Sequence, residues 1–281
     1  MSPDKLLAVV VLVSLTFGAG LQVERDHLVA IFKNVGLLGR ALLANFVIVP
    51  VLGVLIAKLF RLPPLIATGF LLMAIAPGVP FILSNVRKRG GSLGFAVELV
   101  FFLPLLSVVT VPFTARLVLP IQERAELPLG HFLVTLLLFQ LLPLLLGIVV
   151  AGLLPAAAAK LERVFHVLFL LSVLALVVLF APKLVKDVAA VYGSNGMLAM
   201  LCMAILSLLT GWVLGGPARE TRRILGIGTA LRNIGLCAVV ATTSFKETQI
   251  ASAVLTYLLI QFVVTSIAGI YFTRTAERAP A

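Results

Sequence analysis

Gly226-Ile227-Gly228-Thr229-Ala230-Leu231-Arg232-Asn233-Ile234-Gly235 places a charge and an amide inside an otherwise apolar run that continues to residue 244. Glycine lowers helix propensity and lets backbones approach closely, so this stretch predicts a helix interrupted part-way across. Pro77-Gly78-Val79-Pro80 predicts a second interruption. Its prolines remove two backbone donors, and something other than the helix must satisfy the carbonyls they leave. Taken alone, each stretch also reads as a proline kink or a glycine packing face.

Around these two stretches, hydrophobic residues make up 61% of the 281 positions and charged residues 12%. Soluble domains hold roughly 45–50% apolar and about 25% charged residues. So few charges cannot cover a soluble surface, and lipid must solvate most side chains. The chain is therefore predicted to be all-α and integral to the membrane, one polytopic domain over 1–281. Nine apolar runs are long enough, or nearly so, to cross a core of ~30 Å. They lie at 5–21, 35–60, 64–86, 92–119, 129–154, 162–182, 193–214, 221–244 and 248–273. Asp4 is foreign to a signal-peptide n-region, so the first run is kept as a helix. Residues 22–34 mix Val29, Ile31 and Phe32 with charges and are expected to lie on the membrane surface.

The interruptions fall in the third and eighth spans, which run in opposite directions. Broken helices of opposite polarity that meet near the midplane are the mark of an inverted repeat around a solute site.

Net charge is +11, but the basic residues sit in short clusters between apolar runs, which excludes a nucleic-acid partner and fits membrane-flanking loops. Thirteen of them fall in loops on the carboxyl-terminal side, including Arg87-Lys88-Arg89 and Arg222-Arg223, and eight on the other. The positive-inside rule then sets the amino terminus outside and the carboxyl terminus in the cytoplasm of a multi-pass cell-membrane protein. Cys202 and Cys237 lie in apolar segments and are read as packing residues.

Two charges lie deep in apolar context, Glu98 and Arg232. A charge at the bilayer centre costs roughly 2.5–3.5 kcal/mol on insertion scales, so it needs a partner or a hydrated cavity. Arg232 has three readings: a tethered cation, a partner for an anionic solute, or a structural ion pair with Glu98. Glu98 also reads as an interfacial glutamate or a proton-coupling group. Asn45, Ser84, Asn85, Gln140, Asn233, Thr242, Thr243, Gln261 and Ser266 are the other polar groups in the spans. Such residues commonly bond between helices. His131 and His166 have no second ligand at metal spacing, and no metal or cofactor is expected.

Several stretches resemble the bile acid:sodium symporter family. They are Phe17-Gly18-Ala19-Gly20-Leu21, Phe46-Val47-Ile48-Val49-Pro50, Leu62-Pro63-Pro64-Leu65-Ile66-Ala67-Thr68-Gly69, Pro77-Gly78, and Leu231-Arg232-Asn233-Ile234-Gly235-Leu236-Cys237-Ala238. The resemblance implies a panel of spans one, five and six against a core of spans two to four and seven to nine. It also implies that the third and eighth spans are the unwound, crossing helices.

The family's sodium ligands fall, without gaps, on Ile82, Leu83, Ala96, Val100, Gly228 and Arg232, with Asn45 keeping an amide. Ser84-Asn85 would restore a Ser-Asn pair through a local insertion. Sodium requires oxygen ligands. A guanidinium ~4 Å away would repel it by about 4 kcal/mol at an effective dielectric near 20. Sodium binding of the family type is therefore not expected.

The expected function is alternating-access transport of a small organic anion without sodium. The substrate-binding residues are taken to be Arg232, Asn233, Pro77, Gly78, Asn45 and Gln261, and Glu98 is the candidate for proton coupling. An auxin-efflux-type carrier of similar helix plan and a non-transporting sensor are the alternatives. An arsenite carrier of related plan would need a cysteine in the third span, which has none. An intramembrane enzyme is not expected: aspartate clusters for magnesium and a Gly-x-Ser-x-Gly stretch are both missing.

Overall fold

The computed structural model describes residues 2–23, 35–78, 93–120, 122 and 127–277. Helix α1 (Pro3–Leu21) starts on a proline, whose missing N–H would have been unpaired there in any case. Helix α2 (Val35–Leu59) widens into a π-turn at Ala44–Ile48, and α5 (Leu129–Leu153) does so at Leu137–Leu141. A proline follows each, Pro50 and Pro143, and denies an α-type partner to the carbonyl four residues earlier, Phe46 or Phe139. Both of those carbonyls lie within the wide turns.

Helix α2 ends on a left-handed residue, Arg61 at φ 50°. Arg61 N donates to Lys58 O (3.1 Å) and Leu62 N to Ala57 O (3.0 Å), which satisfies two carbonyls of the last turn. Pro63 then blocks continuation, and α3 (Pro64–Ile75) begins at Pro64. Next come α4 (Leu93–Val118), α6 (Pro155–Gly193) and α7 (Gly196–Leu214). The eighth span is split into α8 (Arg219–Ala230) and α9 (Ile234–Ser244), and α10 (Thr248–Glu277) closes the chain.

Among the described residues, seven helices are long and apolar enough to cross a membrane, and α3 and α9 are shorter apolar helices. The protein is an all-α integral membrane protein. Large apolar side chains face outward along most helices, among them Leu59, Leu174, Val185 and Val213, as a lipid solvent requires.

One boundary differs clearly from expectation. The sixth run, expected at 162–182, forms the 39-residue helix α6. Pro182 does not stop it, because membrane helices tolerate proline where neighbours satisfy the freed carbonyl. The apolar stretch thus marks where the helix is greasy rather than where it ends. Most of the expected surface stretch at 22–34 lies outside the described residues.

Helix α1 packs against α5 and α6. A Cβ on Gly20 would strike the Leu144 carbonyl, and one on Gly147 the Phe17 carbonyl, so α1 and α5 touch backbone to backbone. Helices α2, α3, α7, α8 and α10 pack among themselves, with α7 against α8 and α10 against α3. Between these groups α1 meets α9, where Leu12 lies over Gly235.

Candidate functional site

Helix α3 stops at Ile75, and Ala76 is extended (φ −96°, ψ 95°). Helix α8 stops at Ala230, and Leu231 is extended as well (φ −75°, ψ 119°). The two extended pieces cross antiparallel, Pro77 opposite Arg232, and Asn233 N donates to Ala76 O at 3.1 Å. The crossing is tight. A Cβ on Gly78 would lie 2.5 Å from Arg232 C and 2.7 Å from Asn233 N and Leu231 O, all backbone atoms, so only glycine fits.

Both breaks leave helix carbonyls without α-type partners, and Arg232 collects them. Pro77 has no N–H to offer Met73 O, and Arg232 Nε donates there at 2.9 Å. Arg232 Nη2 donates to Ala74 O at 2.6 Å, Nη1 to Thr229 O at 3.2 Å and to Asn45 Oδ1 at 3.1 Å. Gln261 holds the main chain of the same residue: its Oε1 accepts from Arg232 N at 2.9 Å and its Nε2 donates to Arg232 O at 3.5 Å. Asn45 is turned the right way because its Nδ2 donates to Ala41 O (3.0 Å) and Thr229 Oγ1 (3.3 Å). Arg232 is 3% exposed.

This cage explains how an arginine is tolerated at such depth. Each helix C-terminus carries roughly half a negative charge, so two converging ends amount to about one. One guanidinium balances them without a carboxylate. The hydrogen bonds of Arg232 accordingly go to carbonyls and an amide. The structure does not bring Glu98 to it: Glu98 is buried on α4, and among the described residues its Oε2 has no hydrogen-bond partner.

Asn233 starts α9. Its Oδ1 accepts from Leu236 N at 3.0 Å as an N-cap, which leaves Nδ2 to donate to Gln140 Oε1 at 3.1 Å. Gln140, on the π-turn of α5, donates from Nε2 to Pro104 O (2.9 Å) and Ser107 Oγ (2.7 Å) of α4. Cys237, one turn into α9, donates to Leu72 O at 3.4 Å, another carbonyl of the last turn of α3.

The structure therefore gathers Arg232, Asn233, Pro77, Gly78, Asn45 and Gln261 into one locus. Sequence reading did not assign Thr229 or Gln140 to it. The only hint for Gln140 was an amide three residues before a proline in an apolar run. Ala96 and Val100 are fully buried on α4 beside Phe95, Leu99 and Leu103, and Gly228 is buried in α8. These positions offer no side-chain oxygen to a cation. Ile82, Leu83, Ser84 and Asn85 lie outside the described residues.

A family model described as "Sodium Bile acid symporter family" matches residues 9–190, well over half of the chain. The chain belongs to the sodium bile acid symporter family. The matched segment includes α3 and its break but ends before α8 and Arg232. Among curated relatives, the "P3 protein" of Bos taurus is 31% identical over 144 residues, covering 48% of this chain and 29% of that protein. The "P3 protein" of Homo sapiens is 29% identical over 153 residues, 52% of this chain and 31% of that protein. The match thus spans about a third of those relatives' length. Membership makes the chain a multi-pass membrane protein of a transporter family.

Proposed function

We propose that this protein carries a small organic anion across the bilayer by alternating access, and that it does so without sodium. The panel is α1, α5 and α6; the core is α2 to α4 and α7 to α10; the amino terminus faces outward. One observation carries the sodium-independent part: carbonyls at two broken helix ends, where secondary transporters commonly hold a coupling cation, already bind the guanidinium of Arg232. The geometry favours Arg232 as a tethered cation over direct pairing with the solute, because four of its five side-chain N–H donors are engaged and it is buried. With the negative helix ends neutralised internally, the positive N-terminal end of α9 is left to favour an anion.

The test is uptake of a radiolabelled bile acid by proteoliposomes in sodium and in potassium buffer. Initial rates in the two buffers are expected to agree within about twofold, against the tenfold that 1.4 kcal/mol of sodium coupling would produce. Uptake that requires sodium would overturn the reading. Asn233→Ser, which keeps an N-cap oxygen but loses the amide donor, is expected to raise KM.

A further inference from the structure

Two rigid groups meet at the crossing. In the first, the glycine contact between Gly20 and Gly147 leaves α1 and α5 no room to slide. In the second, the Arg232 cage ties α2, α3, α8 and α10 to one another. Gln140 belongs to the first group by its helix, yet its side chain is spent on α4 and on the crossing. It is fully buried, and both ends of its amide are satisfied across the boundary. Its orientation is also forced. The cap on Leu236 N turns Asn233 Nδ2 towards Gln140 Oε1, and the acceptor Pro104 O turns Gln140 Nε2 the other way. Ser252 and Asp187 form another bond between α10 and α6, at 2.7 Å.

A buried amide cannot leave such partners without replacement, because each unsatisfied group costs about 1–3 kcal/mol. We infer that Gln140 is a latch: it holds α1 and α5 closed over the crossing and masks Asn233 Nδ2, the donor that a solute oxyanion takes when the latch withdraws. Gln140 is thus a positioning residue, bonded to the group the solute uses and absent from the solute's contacts. The solute part of this inference rests on the alternating-access reading above. The latch itself does not.

The experiment therefore needs no solute. Leu12 of α1 lies over Gly235 of α9, so Leu12→Cys reports separation of the two groups. Native Cys237 is fully buried within the second group and serves as the control, while the half-buried Cys202 verifies that the reagent is active. Purified full-length Leu12→Cys protein is labelled with N-ethylmaleimide, and each cysteine is followed by peptide mass spectrometry. Adding Gln140→Leu is expected to speed labelling at position 12 about tenfold, the size of one or two lost buried hydrogen bonds, with Cys237 unchanged. Asn233→Ser should give a similar increase, and the two substitutions together no more than either alone.

Equal rates with and without Gln140 would overturn the latch. So would parallel acceleration at Cys237, which would mean general loosening. If Leu12→Cys does not assemble, Ala8→Cys, one turn earlier on the same face of α1 and fully buried, carries the same readout. Faster labelling in a protein that transports nothing would leave the latch standing and sink only the transport reading.

Discussion

Arg232→Gln is expected to lower stability by about 3–5 kcal/mol, the usual consequence of removing one partner from a buried charged cluster. For a chain of this size that corresponds to a fall in melting temperature on the order of 10 °C. The cause is specific. Met73 O, Ala74 O and Thr229 O lose their donor where two helix C-termini converge. Glutamine, shorter and neutral, cannot reach them all or balance about one unit of negative charge.

The vacated cage then resembles a monovalent cation site, and sodium should partly restore the variant. At ~150 mM sodium and a Kd near 10 mM, binding would return about 1.6 kcal/mol. Melting in sodium against potassium chloride measures this, with the wild-type protein showing no difference. A variant as stable as wild type in both salts would show that the arginine does not hold the crossing together. A sodium-stabilised wild type would show that a cation site persists beside the guanidinium.

Gly78→Ala is expected to abolish folding of the crossing. The added methyl would press on Arg232 C, Asn233 N and Leu231 O, which are main-chain atoms that cannot rotate away. The extended pieces would have to part, losing the Asn233 N to Ala76 O bond and pulling Arg232 from its carbonyls. Overpacking alone costs roughly 1–3 kcal/mol, and opening the cage adds the terms described for Arg232. Gly39→Ala in α2 is the control, since a Cβ there meets nothing within 4 Å, and a helix-interior alanine should be neutral or slightly stabilising. Size-exclusion profile and melting temperature separate the two. A monodisperse Gly78→Ala protein of unchanged melting temperature would show that the crossing is looser than described.

Gly78 and Arg232 also show where local reading suffices. Proline and glycine act on their own backbone, so breaks after Ile75 and after Ala230 were legible from Pro77-Gly78 and from the glycines around Arg232-Asn233. Membrane residence was legible too, because composition alone dictates the solvent. Helix ends were less legible where an apolar run stops before the hydrogen bonding does, as in α6.

What the sequence could not decide was partnership. Glu98 and Arg232 are opposite charges in one apolar chain, and pairing them is the natural inference from one dimension. The fold instead gives Arg232 the carbonyls freed by Pro77 and by the end of α8, groups that every residue carries and no motif records. Gln140 was one amide among several until the π-turn and the N-cap of α9 aimed it at Asn233. Backbone charge at converging helix ends is a property of arrangement. The sequence determined that the helices break and which cation lies at the break, while only the tertiary structure determined what that cation holds.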